Sequence, residues 1–246
     1  MNMNSQDRRA GQSTRDMAHK RYKARVWFVL LMAGSALLIL ILAFCSKAFG
    51  IGGLGVLGLL ILTRRVTDYT EGRAKRMMKE ERRAVRGATA EEKIGSILNN
   101  LGEDYVVIHD VPSPYGNIDH IVMSNQGSIF LIETKAHGGK VCVANGQLLV
   151  NGHEPEKDFI TQALKNTYWL RDTICDVINF KAWITPIVVF TNAFVERTAP
   201  IKGVVIINKK YLPNVLERPN ARAQNLVWEN RERIRKALSV PDKSSV

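Results

Sequence analysis

The sequence predicts an α/β domain with a mixed central sheet flanked by helices, preceded by an N-terminal transmembrane helical hairpin. Three observations carry this reading. From residue 90 onward, strand-length and helix-length patterns follow in the order helix, three strands, hairpin, helix, two strands, helix, the alternation of an α/β domain. Two dense apolar runs lie between Val26 and Leu62. Positive charge gathers on both sides of those runs.

The charge distribution decides what the basicity means. The formal net charge is +12. Residues 1–25 carry seven Lys/Arg against two Asp, and residues 63–86 carry nine against four Asp/Glu, so each flank is net +5. Residues 87–246 carry 18 against 17 and are nearly neutral. Excess Lys and Arg beside apolar spans marks their cytoplasmic ends. Each can add about 1 kcal/mol of attraction to an anionic leaflet. The high pI is therefore no argument for a nucleic-acid-binding surface on residues 87–246.

The first apolar run, Val26 to Phe44, has 19 residues without a charge. At about 1.5 Å per residue it matches the hydrocarbon thickness of a bilayer. The second, Ala48 to Leu62, has 15 residues and contains Gly50, Gly52, Gly53, Gly55 and Gly58; such glycines permit close helix approach. If both runs span, both basic flanks stay in the cytoplasm. A single span would send one of them across, and a cleaved signal peptide would need an unusually long charged leader. The expected organisation is a basic segment 1–25, spans at about 26–44 and 48–62, a charged juxtamembrane linker 63–86, and a domain 87–246. The linker reads as a solvated helix, although Lys79/Arg83 and Arg82/Arg86 repel at i,i+4. The expected location is the membrane, with both termini and the domain in the cytoplasm.

Within the domain, Ala90–Leu101 reads as a helix capped by Thr89 and ended by Gly102. Tyr105–His109, Ile118–Met123 and Ser128–Thr134 read as strands, separated by the turns Pro112–Asn117 and Asn125–Gly127. Gly138-Gly139 reads as a turn after the third strand. Val141–Val150 reads as a hairpin through Asn145-Gly146. Asp158–Ile178 is a long helix. Ile184–Phe190 and Gly203–Ile207 are strands, with Pro186 confining the first to an edge or to a start at Ile187. Ala221–Leu238 is a terminal amphipathic helix. Cys45, Cys142 and Cys175 form neither a disulfide framework nor a metal motif, and His109, His120, His137 and His153 lack metal-ligand spacing.

Chemistry concentrates at Asp119 and Glu133-Thr134-Lys135. Glu133 and Lys135 are two apart on a strand, so they share a face. Asp119 lies on the preceding strand, across a short turn, about 4.8 Å away in the sheet. Two carboxylates suit a hard divalent cation such as Mg²⁺ or Mn²⁺, which lowers the pKa of a bound water and stabilises phosphodiester charge. Lys135 can orient that water or meet the developing charge. Alone, a Glu-x-Lys pair is usually a solvated strand face. Here it ends a strongly apolar strand, and Asp119 interrupts another. Tyr168-Trp169 could stack bases, although aromatics on a helix more often pack in the core. Arg222, Arg231, Arg233, Arg235 and Lys236 alternate with acids and read as a solvated face.

The string Ile118-Asp119-His120, then Gly127 through Ile132, then Glu133-Thr134-Lys135, resembles the nuclease-related (NERD) domain. That family is similar to the PD-(D/E)XK nucleases, so the resemblance implies a restriction-endonuclease-like fold. It covers about residues 87–190. Gly87-Ala88-Thr89-Ala90-Glu91 is similar to the family's G-x-x-G-E helix start, with Ala90 in place of glycine. The resemblance implies that Glu91 joins Asp119 and Glu133 as metal ligands and that Gln162, with Asn166 one turn later, is the family's helical glutamine. It further implies Mg²⁺- or Mn²⁺-dependent cleavage of nucleic acid, DNA ahead of RNA. A non-catalytic module that binds nucleic acid or protein at the membrane is the competing expectation, and a membrane scaffold the third. Oligomeric state is not legible.

Overall fold

The computed structural model describes residues 8–46, 53–197, 199–218 and 224–239. They form two compact units, residues 14–85 and residues 86–246 together with the segment before Thr14.

The first unit is a pair of long helices, α1 (Gln12–Ser46) and the greater part of α2 (Gly53–Asn99). They run antiparallel: Arg25 pairs with Glu81 at 3.0 Å, Arg21 donates to the Glu80 carbonyl at 3.0 Å, and the Arg73 guanidinium lies over the Phe28 ring. These cross-helix contacts offset the like-charge pairs that disfavour a helix near residue 80. Among the described residues no helix is long and apolar enough to cross a membrane. Residues 47–52, and most side chains between 38 and 63, lie outside the description, so most of the expected span at 48–62 and the last part of that at 26–44 fall on them. Side chains on either side of that stretch, among them Trp27, Leu30, Leu31, Leu37 and Tyr69, are exposed.

The expected helix start at Thr89 is not a start. Helix α2 continues unbroken from Gly53 through Thr89 to Asn99. Nothing between residues 63 and 98 breaks it, since the stretch lacks proline and is rich in Arg, Lys, Glu and Ala, all strong helix formers.

The second unit is built on a six-stranded mixed sheet. Its strands are β1 (Tyr105–Val111), β2 (Ile118–Ser124), β3 (Ile129–Ala144), β4 (Gln147–Val150), β5 (Ile184–Val195) and β6 (Val205–Asn208). The order is β1-β2-β3-β5-β6, with β4 folded back on the far half of β3. The first four strands pair antiparallel, whereas β5 runs parallel to both β3 and β6. The crossover from β4 to β5 carries α3 (Phe159–Ile178), whose start is capped by Asp158 accepting the Ile160 and Thr161 N–H groups. The connection that gives the parallel β3–β5 pair thus follows the usual strand–helix–strand logic.

Strand periodicity divides the core. Ile121, Met123, Ile129 and Leu131 point toward α3 (Leu170, Ile174) and the terminal helices α5 (Asn225–Glu229) and α6 (Arg231–Leu238). Val122, Phe130, Ile132, Ile187 and Val189 point the other way, toward Ile94 and Leu98 of α2 and toward α4 (Leu212–Leu216). A sheet buried on both faces explains the continuous apolar run Ile129–Ile132.

Three expectations change. Gly138-Gly139 does not turn the chain; β3 runs through it, with a register shift between Lys135 and Gly138. Pro186 lies inside β5, a central strand. Its missing N–H is tolerated because β6 begins only opposite Ile187, leaving one side of β5 unpaired there. The terminal helix is broken at Asn230, and residues 221–223 of its expected start lie outside the description. Gly127, at φ +78°, completes the β2–β3 turn where a Cβ would run into the backbone of Gln224, so only glycine fits that approach.

The segment before Thr14 belongs to this second unit. Buried Asp110, at φ 55°, accepts the Ser13 N–H at 2.9 Å, the Ser13 hydroxyl at 2.7 Å and the Asn117 amide at 2.7 Å. Arg8 approaches the same carboxylate at 3.6 Å. Gly11 rests against Ala88 and Glu91.

Candidate active site

Residues 119, 121 and 123 of β2 and residues 129, 131, 133 and 135 of β3 share the face that α3 covers. The last apolar positions on that face are followed by Asp119 on one strand and by Glu133 and Lys135 on the other. Charge therefore enters the core where the α3 packing gives way, and α3 meets it with amides rather than apolar side chains.

Glu133 is 1% exposed and fully engaged. Its Oε1 accepts from Asn166 Nδ2 at 2.8 Å. Its Oε2 accepts from Gln162 Nε2 at 3.1 Å and from Lys135 Nζ at 3.4 Å. Lys135 also donates to Gln162 Oε1 at 3.2 Å and lies 4.9 Å from the centre of the Phe159 ring. Gln162 thus bridges the ion pair, its amide donating to the carboxylate while its carbonyl accepts from the ammonium. Such completed bonding is what lets a carboxylate and an ammonium remain buried.

Asp119, on the neighbouring strand, accepts the Thr134 backbone N–H on Oδ2 at 2.6 Å. Burial pushes its carboxyl well above the ordinary carboxylate range, and repulsion from Glu133 and then Glu91 pushes it further. Lys135 and the Thr134 N–H act in the opposite direction without cancelling this. Three carboxylates thus stand near one ammonium.

The structure brings Asp119, Glu133, Lys135 and Gln162 together and sets Glu91, on α2, within electrostatic reach of Asp119. It does not gather Glu91, Asp119 and Glu133 into a metal cage. Among the described residues, no group of three His, Cys, Asp or Glu side chains is placed to hold a metal ion. Glu133 is held instead by Gln162 and Asn166 of α3 and by Lys135 of its own strand. The donor chemistry still suits a hard cation, since all three side chains are carboxylates.

Asn166 is the residue the sequence undersells. It sits one turn beyond Gln162 and is completely buried. Its Oδ1 accepts from Ser113 Oγ at 2.7 Å, tying the 112–117 loop to the carboxylate site. Spacing of four from Gln162 was the available signal for Asn166; Ser113 gave none. Trp169 packs against the core, whereas Tyr168 is 52% exposed. A cavity of about 250 Å³ lies beside the start of α3, lined in part by Asp158, Phe159 and Lys202, and it does not include the carboxylates.

On the opposite face of the sheet, His120 and His109 pair across β1 and β2, their Nδ1 atoms 2.9 Å apart. His109 Nε2 lies 3.1 Å from Asn99 Oδ1, while buried His120 Nε2 has no hydrogen-bond partner among the described residues. Burial, then the neighbouring His109, holds His120 well below the ordinary histidine range. A histidine that protonates only when unfolded favours the unfolded state in acid. Its stabilising contribution is complete above the unfolded pKa of about 6.5 and declines as pH falls below it. Melting temperatures measured from pH 8 to pH 5 should therefore fall, and His120→Leu should flatten that fall. An identical pH profile in the variant would remove His120 from the account.

Residues 86–191 match the family model described as the nuclease-related domain. Comparisons with curated proteins and with solved structures gave no match.

Proposed function

We infer, from the premise that residues 86–191 form a nuclease-related domain, that the site on β2, β3 and α3 is a metal-dependent phosphodiester-cleaving centre. The observation that carries this reading is the convergence of Asp119, Glu133, Lys135 and Gln162 on one face of the sheet, with the charged form of Asp119 disfavoured by burial and by Glu133 and Glu91. Asp119 and Glu133, with Glu91 alongside, would hold Mg²⁺ or Mn²⁺. When bound, such an ion stabilises phosphate charge and acidifies a water. Lys135, already aimed by Gln162 and Glu133, would hold that water or meet charge developing on the phosphate. Asn166 keeps Glu133 in place, and Thr134 keeps Asp119 in place. The substrate is nucleic acid, DNA ahead of RNA. The direct test incubates the 246-residue chain with labelled oligonucleotides in Mg²⁺ or Mn²⁺, with chelator as the control.

A binding module without turnover is the second reading. It is favoured by one fact: both Glu133 oxygens are already bonded within the protein. Salt-dependent binding without metal-dependent product would select it.

Residues 26–62 are proposed to anchor the domain in a membrane, with both termini on the cytoplasmic side. Support comes from the 19-residue uncharged run Val26–Phe44, the net +5 flanks and the outward-facing Trp27, Leu30, Leu31 and Leu37. The chain should stay with membranes through alkaline carbonate extraction; release into the supernatant would sink the anchor.

A further inference from the structure

The exposed side of α3 carries two pairings of a cation with a tyrosine. Lys165 Nζ lies 5.8 Å from the centre of the Tyr115 ring, and Arg171 Cζ lies 5.1 Å from that of Tyr168. Both rings are 52% exposed. Lys165 and Tyr168 are three apart on the helix, so they are neighbours along one side, and Arg171 follows three residues later.

The first pair is tied to the site. Tyr115 stands on the 112–117 loop, which is rigid in its own right: Ser113 and Gly116 exchange backbone bonds at 3.2 Å, and the Tyr115 N–H donates to Ser113 Oγ at 3.1 Å. The same Ser113 hydroxyl lies 2.7 Å from Asn166 Oδ1, and Asn166 donates to Glu133 at 2.8 Å. Tyr115 and Lys165 are thus linked to the catalytic carboxylate through one amide side chain and a short loop.

Single exposed tyrosines are ordinary. Two on neighbouring elements, each under a cation and the first tied through Ser113 and Asn166 to a carboxylate centre, have the composition of a strand track: flat rings for bases and cations for the intervening phosphates. The cations differ in availability. Arg171 Nε is shared with Asp172 at 3.3 Å, whereas Lys165 has no carboxylate within ion-pair distance among the described residues. The near-neutral balance of residues 87–246 argues against a broad duplex-gripping surface.

We propose that Tyr115, Lys165, Tyr168 and Arg171 form a track for unpaired nucleotides, so that the site receives single-stranded nucleic acid. A duplex would hide the base faces that the two rings are placed to stack. This deepens the nuclease reading and rests on it for the location of the reacting phosphate, but binding needs no metal and can be measured apart from cleavage.

The test is fluorescence anisotropy on the 246-residue chain in detergent micelles with chelator present. The probes are a labelled 20-nucleotide oligothymidine and a labelled duplex of the same length. The single strand should bind more tightly than the duplex. Tyr115→Ala should weaken single-strand binding about tenfold, the scale of one stacked base, while Tyr115→Trp should retain it. Lys165→Ala should lower the salt slope of the single strand by about 0.7. Both tyrosines are exposed, and an unchanged melting temperature for Tyr115→Ala would exclude misfolding as the cause. The track is overturned if wild type binds no single strand, if duplex binds as tightly, or if Tyr115→Ala and Tyr168→Ala both bind like wild type. Cleavage by wild type in Mg²⁺ with no effect of the tyrosine substitutions would discard the track and keep the nuclease. Track-dependent binding without cleavage would discard the nuclease and keep the track.

Discussion

Asp119→Asn will abolish cleavage and, in metal-free buffer, raise the melting temperature. The two effects share one cause. Asp119 is an acid that the fold disfavours in its charged form, because burial and then Glu133 and Glu91 push its carboxyl upward. A carboxyl whose folded pKa is raised binds its proton more tightly when folded, so it favours folding in acid and opposes it once ionised. That penalty appears as pH rises above the unfolded value of about 3.9 and is complete above the raised folded value. The asparagine variant does not carry it. It should therefore melt higher by on the order of a few degrees near neutral pH, with the gap closing in acid. Mg²⁺ should reverse the order by stabilising wild type through binding. Cleavage should fall at least a hundredfold, about the scale of one well-placed electrostatic group. A variant less stable than wild type at every pH would mean that Asp119 is a structural bond to Thr134 and not a ligand whose charged form is disfavoured.

Glu133→Ala should be far more damaging to the fold, by about 3–5 kcal/mol. Glu133 is 1% exposed, and Lys135 beside it is 13% exposed. Removing the carboxylate leaves an ammonium and two amide donors, Asn166 and Gln162, without the acceptor they surround. An unpaired buried cation costs more than the pair contributed. Glu133→Gln keeps a carbonyl acceptor in the same volume and should fold, yet it cannot supply a second anionic ligand. Urea unfolding separates the two: a large drop in midpoint for alanine, a small one for glutamine, and lost cleavage in both. Equal stability of the two variants would show that the acceptor role assigned to Glu133 is wrong.

How far these residues were legible in the sequence depends on how local their signals are. Strand alternation placed Glu133 and Lys135 on one face, and the apolar string Ile129–Ile132 marked a sheet buried on both sides. The hairpin at Asn145-Gly146 and the helix beginning after Asp158 follow from turn chemistry and capping, both short-range effects. Thr89 misled because a good cap residue starts a helix only when the preceding chain leaves it, and residues 63–88 have no reason to do so. Gly138-Gly139 misled likewise: β5 pairs with β3 across the glycines, a partner about fifty residues away that local propensity does not register. Glu133's dependence on Asn166, and Asn166's bond to Ser113, join residues 33 and 53 positions apart. Contacts of that kind arise from tertiary packing and leave no local pattern. The metal assignment rests on residue type and family resemblance, since the carboxylates lie together without forming a cage.

The measurement that bears most directly on the central claim is an oligonucleotide cleavage assay on the 246-residue chain, wild type beside Lys135→Ala, with Mg²⁺, Mn²⁺ or chelator. Lys135 is the one charged member of the site that would bind no metal, so its removal tests the chemistry and not metal retention. Wild type should release fragments only with the divalent ion, and Lys135→Ala should do so about 10²–10³ times more slowly. Cleavage that persists in chelator, or that is equally fast in the two proteins, would contradict the assignment of this site as a metal-dependent nuclease centre.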